Sequence, residues 1–173
     1  MIEKDGRSRP LLFSDYKKCL DATKPDAVII ATSWLSHLEI AMYAMERGIA
    51  VCLEVGGAYD IGELWKLVDC YERMKTPIMM AENCCFGRLE LLALNMKRLG
   101  LLGKIVHCDG GYRHDCRDIV GRYINEGHYR VLEYVNRNSD NYPTHEIGPI
   151  AELLDINRGN RFVSLVSVSS GSY

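Results

Sequence analysis

A chain of 173 residues is long enough for one domain with its own core, but short for an enzyme that needs separate cofactor and substrate domains. Its 21 basic and 23 acidic side chains nearly cancel, leaving no field to attract nucleic acid or an anionic membrane, so a small-molecule partner is expected. The first residues, Met1 to Arg7, contain no apolar signal core, and no later run approaches the ~20 apolar residues that a bilayer span requires. The chain as given reads as soluble and cytoplasmic, with export of a longer precursor left open.

Asp26 to Ala31 is a continuous apolar run, as in a strand covered on both faces. Ser36 to Arg47 carries apolar residues at 38, 41, 42 and 45 and stops at Gly48, which predicts a helix with a left-handed glycine after it. Ile49 to Leu53 is again strand-like. Asp60 and Glu63 then resemble a capping box that opens a helix through Met74, with Leu64, Trp65, Val68 and Tyr71 on its apolar face. Pro77 to Ala81 reads as a third strand, and Leu89, Leu92, Ala93, Met96 and Leu99 define a third helix ending near Gly100.

This β-α-β-α-β-α order predicts an α/β fold: a partial doubly wound parallel, Rossmann-like sheet, followed by the start of an α+β substrate domain. The boundary is expected near residue 103, giving parts 1–103 and 104–173. Lys104 to Gly111 reads as a strand. Tyr112 to Asp140 reads as a polar, weakly periodic excursion facing substrate, and a short helix over 145–154 and a strand over 161–169 complete the chain.

In an open parallel sheet, ligands bind beyond the carboxyl ends of the strands. Those ends are Thr32 to His37, Glu54 to Gly57 and Glu82 to Cys85, and all are polar. Each has a plain structural explanation: Ser36 as a helix cap, Glu54 as a solvated strand end, Asn83 as a turn residue. A dinucleotide sheet normally opens with a G-x-G-x-x-G turn, and nothing of that kind precedes Asp26. Either the site is not for a dinucleotide or the chain begins partway into one.

Taken together, Ala31-Thr32 to His37, Glu54-Val55 and Asn83 resemble the loops around the nicotinamide in the Gfo/Idh/MocA oxidoreductase family. The closer resemblance is to its NAD-dependent α-N-acetylgalactosaminidase-like glycoside hydrolase branch. It rests on Trp34 to His37, Glu54 to Gly57, Asn83 to Phe86, Tyr112 to Asp115, Asn141 to His145, and Ile156 to Arg161, and so covers nearly the whole chain. The resemblance implies a fragment lacking the N-terminal glycine-rich βαβ unit and the C-terminal end. It implies NAD as cofactor, lined by Trp34, Leu35, Ser36, His37, Glu54, Val55 and Asn83. It implies a carbohydrate substrate lined by Tyr112, Arg130, Tyr142, Pro143, Thr144 and His145.

In that branch a ring hydroxyl at carbon 3 is transiently oxidised, the carbon 2 proton is removed, and the group at carbon 1 leaves by elimination. Water then adds and the ketone is reduced again, without the paired carboxylates of ordinary glycosidases. Tyr112 is the candidate base and His145 the candidate acid, with Tyr142 beside them as a third catalytic candidate. An imidazole titrates near ~6.5, whereas a phenol near ~10 must be activated, with Arg113 and the cofactor's positive ring as candidate activators.

The alternative is a sugar or inositol dehydrogenase. It is disfavoured because Val55 stands where that group's turn has a lysine, and Asn141 where its second motif has an acid. A second alternative is a noncatalytic remnant that kept the fold. No metal site is expected: His107-Cys108 and His114-Asp115-Cys116 lack ligand spacing of the zinc type, and the seven cysteines read as reduced, packing thiols. A sheet without its first strands exposes an edge, which predicts self-association, with a homo-oligomer as one form of it, or poor solubility.

Overall fold

The computed structural model describes residues 9–118, 120 and 127–171. The chain forms two compact units: Met1–Leu53 with Gly57–Met79, and Glu54–Gly56 with Met80–Tyr173.

The first unit is an α/β layer. Helix α1 (Tyr16–Thr23) starts at Asp15, whose carboxylate accepts the Lys18 N–H at 2.9 Å, and ends at Lys24 in the left-handed region. Strands β1 (Ala27–Ile30), β2 (Ala50–Leu53) and β3 (Ile78–Met80) form a three-stranded parallel sheet in the order β1-β2-β3. Ala27 lies opposite Ala50, and Ile30 opposite Leu53. Helix α2 (Trp34–Met45) packs on β1, β2, α1 and α3 (Ile61–Met74), burying His37, Leu38, Ile40, Ala41, Ala44 and Met45. Full burial of a side chain such as Ile30 or Met45 contributes roughly 1.5–3 kcal/mol, and this core holds the strand ends in place.

The end signals behave as their chemistry requires. Gly48 stands at φ 72° just beyond α2. Asp60 accepts the Glu63 N–H at 2.8 Å, while Glu63 reaches back to the Tyr59 N–H at 2.7 Å, one residue earlier than an ideal box. Helix α2 begins two residues before the expected Ser36, because Ser33 takes the N-cap position and the Ser36 hydroxyl donates to the Ser33 carbonyl at 3.0 Å.

Burial departs from expectation on two faces. Ile29 is 76% exposed, so among the described residues β1 is not covered on both sides. Helix α3 packs inward through Leu67 and Cys70, while Leu64, Trp65, Val68 and Tyr71 lie exposed.

The second unit is helical. Beyond β3, a 3-10 turn (Asn83–Phe86) leads into α4 (Arg88–Arg98); α5 (Tyr129–Asn136) and α6 (Pro143–Leu153) follow. Helix α4 packs on the 3-10 turn and on α6. For this reason the compact units divide at Met79–Met80 rather than near 103: the β-α alternation counted α4 with the sheet, whereas its contacts lie with α6. Helix α6 starts with Pro143, whose missing N–H costs nothing in a first turn. Gly148 is required where α6 crosses the 3-10 turn, since a Cβ there would lie 2.9 Å from Glu82 Cγ and 3.0 Å from Cys85 Sγ.

The strands expected at 104–111 and 161–169 do not form. Val106, Val163, Leu165, Val166 and Val168 are each more than 80% exposed. A strand needs a ladder partner for its N–H and C=O groups, and among the described residues neither segment has one. Helix α5 was hidden inside the polar excursion. It is capped by His128 Nδ1, which accepts the Arg130 N–H at 3.3 Å. The excursion also includes residues 119 and 121–126, which lie outside the described residues.

Candidate functional site

In the first unit, the expected cofactor residues Trp34, Leu35, Ser36 and His37 form the opening turn of α2. Trp34 and His37 are buried, Leu35 is exposed, and His37 Nε2 lies 3.0 Å from the Thr32 carbonyl oxygen. Gly57 stands at φ 99° with its absent Cβ only 2.5 Å from His37 Cβ, so the glycine turn and the histidine are packed as one feature. Ser33 holds the N-cap position in extended backbone and makes no side-chain cap bond itself.

In the second unit, Glu54 is exposed and its carboxylate accepts the Val55 N–H at 3.3 Å; Val55 is buried. Asn83 is exposed at the start of the 3-10 turn. The residue before it carries more weight. Glu82 caps that turn, accepting the Cys84 N–H at 3.0 Å, and the same oxygen, Oε1, lies 2.6 Å from His145 Nδ1. Both side chains of this pair are more than nine-tenths buried.

Around His145 the aromatic rings gather. Tyr142 stacks on the imidazole with centroids 5.0 Å apart and planes 5° apart. Tyr112 meets it edge-on at 4.3 Å and lies 5.8 Å from Tyr142. His114 sits 4.5 Å from Tyr112, and the Arg130 guanidinium lies 5.5 Å from the Tyr142 ring centre. Tyr112, His145, Cys84 and Glu146 line a cavity of about 580 Å³, walled on its apolar side by Ile105, Leu153 and their neighbours. A volume of that order suits a small polar ligand.

Electrostatics sort the groups. Burial works to raise the Glu82 carboxyl, but the Thr144 hydroxyl, His145 and the Cys84 N–H together outweigh it and hold the group below the usual carboxylate range. Glu82 is therefore a fixed anion facing the imidazole. Burial pushes the Tyr142 phenol above its ordinary value, against the pull of Arg130, so it stays protonated at neutral pH and keeps a proton to donate. Burial and then the carboxylate of Asp140 raise Glu146. The Cys84 and Cys85 thiols are also raised, by burial first and Glu82 second, which keeps them unreactive when free.

Thus Tyr112, Tyr142 and His145 are brought together, Arg130 stands against Tyr142, and Thr144 reaches Glu82. Pro143 is exposed and acts through the backbone as the first residue of α6. Sequence reasoning missed Glu82, His114 and Glu146. The signal for Glu82 was its place at a strand's carboxyl end, one residue ahead of Asn83. A carboxylate at a solvated tip and one buried against an imidazole 63 residues away look alike in sequence.

Residues 86–173, half of the chain, match the glycosyl hydrolase 109 C-terminal domain. Residues 5–82 match the oxidoreductase family with an NAD-binding Rossmann fold. A glycosyl hydrolase family 109 protein of Solibacter usitatus is 43% identical over 145 residues, covering 84% of this chain and 33% of that protein. An alpha-N-acetylgalactosaminidase of Bacteroides fragilis is 38% identical over 170 residues, covering 96% of this chain and 39% of that protein. The crystal structure of a myo-inositol 2-dehydrogenase from Lactobacillus plantarum aligns with a TM-score of 0.50 at 22% identity, over 54% of this chain and 28% of that one. That likeness supports the Rossmann-like fold alone. The chain spans a third to two-fifths of the length of these curated relatives. With both of its parts matched in this order, the chain belongs to the glycosyl hydrolase 109 family, a segment similar to the Rossmann fold of the oxidoreductase family preceding the glycosyl hydrolase 109 C-terminal domain.

Proposed function

We propose that this chain carries part of the active site of an NAD-dependent glycosidase acting on an α-linked N-acetylated sugar, with Tyr112 as base, His145 as acid and Tyr142 as a donor to the sugar. The observation that carries this reading is Tyr112 and His145 in ring contact on one cavity, with Tyr142 stacked on the imidazole and the Glu82 anion held to its Nδ1. Glu82 accepts the proton on Nδ1, which leaves Nε2 as the nitrogen available to a leaving oxygen. Tyr112 brings a half-exposed phenol to the same space, and Arg130 places positive charge beside Tyr142. Pro143 and Thr144 set the start of α6 and so the direction of His145.

Trp34, Leu35, Ser36 and His37 in the first unit, and Glu54, Val55 and Asn83 in the second, are the proposed NAD contacts. When bound, NAD supplies reversible hydride transfer at a ring hydroxyl. The simple dehydrogenase reading is weaker, because buried Val55 cannot exchange a proton.

The reading predicts that a version extended to the length of the relatives, incubated in deuterated water with an aryl α-N-acetylgalactosaminide and NAD, releases sugar labelled at carbon 2. Release with no label there would mean direct displacement and would overturn the mechanism. For the 173-residue chain alone, weak or undetectable NAD affinity is expected, since no G-x-G-x-x-G turn is present to hold the pyrophosphate on helix amides. Submillimolar binding by calorimetry would contradict this.

A further inference from the structure

We infer that Glu82, Cys84 and His145 form a binding site for a zinc-class divalent cation, with the fourth coordination position open to the cavity. A carboxylate oxygen, a thiol sulfur and an imidazole nitrogen from these residues all lie within 4.8 Å of one another. The mixture of donors matters as much as the distance. Thiolate and imidazole favour zinc and its relatives over magnesium or calcium, which take oxygen ligands.

The geometry brackets what such an ion needs. With bonds of about 2.0–2.3 Å, a tetrahedral zinc sets its ligands roughly 3.3–3.7 Å apart. The Glu82–His145 pair is now at 2.6 Å, and the widest separation in the trio does not exceed 4.8 Å. Both separations lie within about 1.1 Å of that range. The ion replaces the proton shared by the carboxylate and the imidazole and takes the place of the Cys84 thiol proton, so charge is compensated by the release of protons.

The supports for the trio are rigid. The Cys84 N–H on Glu82 Oε1 fixes two of the donors within one turn. Gly148, in contact range of Glu82, holds α6 and hence His145 against that turn. Cys84 and His145 both line the cavity, which gives the ion an entry path. The site was invisible to ligand spacing, since two donors lie two residues apart and the third 61 residues further on. Loss of His145 as an acid when the ion binds rests on the reading above. Binding itself does not.

Cobalt(II) is the probe, added under reducing conditions to the complete 173-residue chain. Saturable binding with a near-ultraviolet thiolate-to-cobalt charge-transfer band is expected, and zinc should displace the cobalt. Cys84→Ser should remove the band and weaken zinc binding at least about tenfold, whereas Cys108→Ser and Cys116→Ser should leave both unchanged. Absence of the band in the parent chain, or its persistence in a folded Cys84→Ser chain, overturns the assignment. If circular dichroism shows Cys84→Ser unfolded, Glu82→Gln decides: it keeps every sulfur, and undiminished zinc affinity in that variant would also refute the site.

Discussion

Tyr112→Phe is expected to abolish exchange of the sugar's carbon 2 proton with solvent and to lower turnover by about 10²–10⁴-fold in a version extended to the relatives' length. The substitution is narrow. Phenylalanine keeps the ring that meets His145 at 4.3 Å and Tyr142 at 5.8 Å, so the cluster should hold its packing and lose only the phenolic oxygen. That oxygen belongs to a side chain 40% exposed on the cavity, where substrate can reach it. Tyr142 is a poorer candidate for base, because burial makes its phenol harder to ionise than an ordinary tyrosine. The paired measurement is therefore Tyr142→Phe, which should weaken sugar binding while exchange persists. Full exchange in Tyr112→Phe would reassign the base.

The parts of the fold that could be read in advance were those in which each residue obeys a local rule. The apolar run before Ala31, Gly48 after α2 and the Asp60–Glu63 box each announce an element through backbone conformation or end-group chemistry, and each element formed. The failures all needed a partner. Leu64, Trp65, Val68 and Tyr71 make a regular apolar stripe, yet the stripe packs only if something stands opposite it, and this chain supplies Leu67 and Cys70 as the inward residues instead. Likewise Val163, Leu165 and Val166 have the composition of a strand without a ladder to join. The site divides in the same way. Tyr142 and His145 are three residues apart and could be placed on one helical turn by counting, whereas Glu82 reaches His145 only through the crossing of α6 over the 3-10 turn.

That crossing makes Glu82 the position where a single change should cost the second unit most. Glu82→Ala would leave His145 Nδ1 and the Cys84 N–H facing no acceptor in a buried place, and breaking a buried pair in this manner costs about 3–5 kcal/mol. Glu82→Gln keeps shape and an acceptor oxygen but removes the charge, so its cost should be smaller and should depend on pH. The sign follows from the depressed carboxyl of Glu82: the unfolded chain takes up a proton near ~4.3, the folded chain only at lower pH. The charge thus contributes its full stabilisation above that unfolded value and loses it as pH falls through the lower folded one. Urea titrations at neutral pH should show the parent chain more stable than Glu82→Gln, and the gap should close in acid. A gap that stayed constant down to about pH 2 would mean that the carboxylate charge contributes nothing to the fold and that Glu82 serves His145 through shape alone.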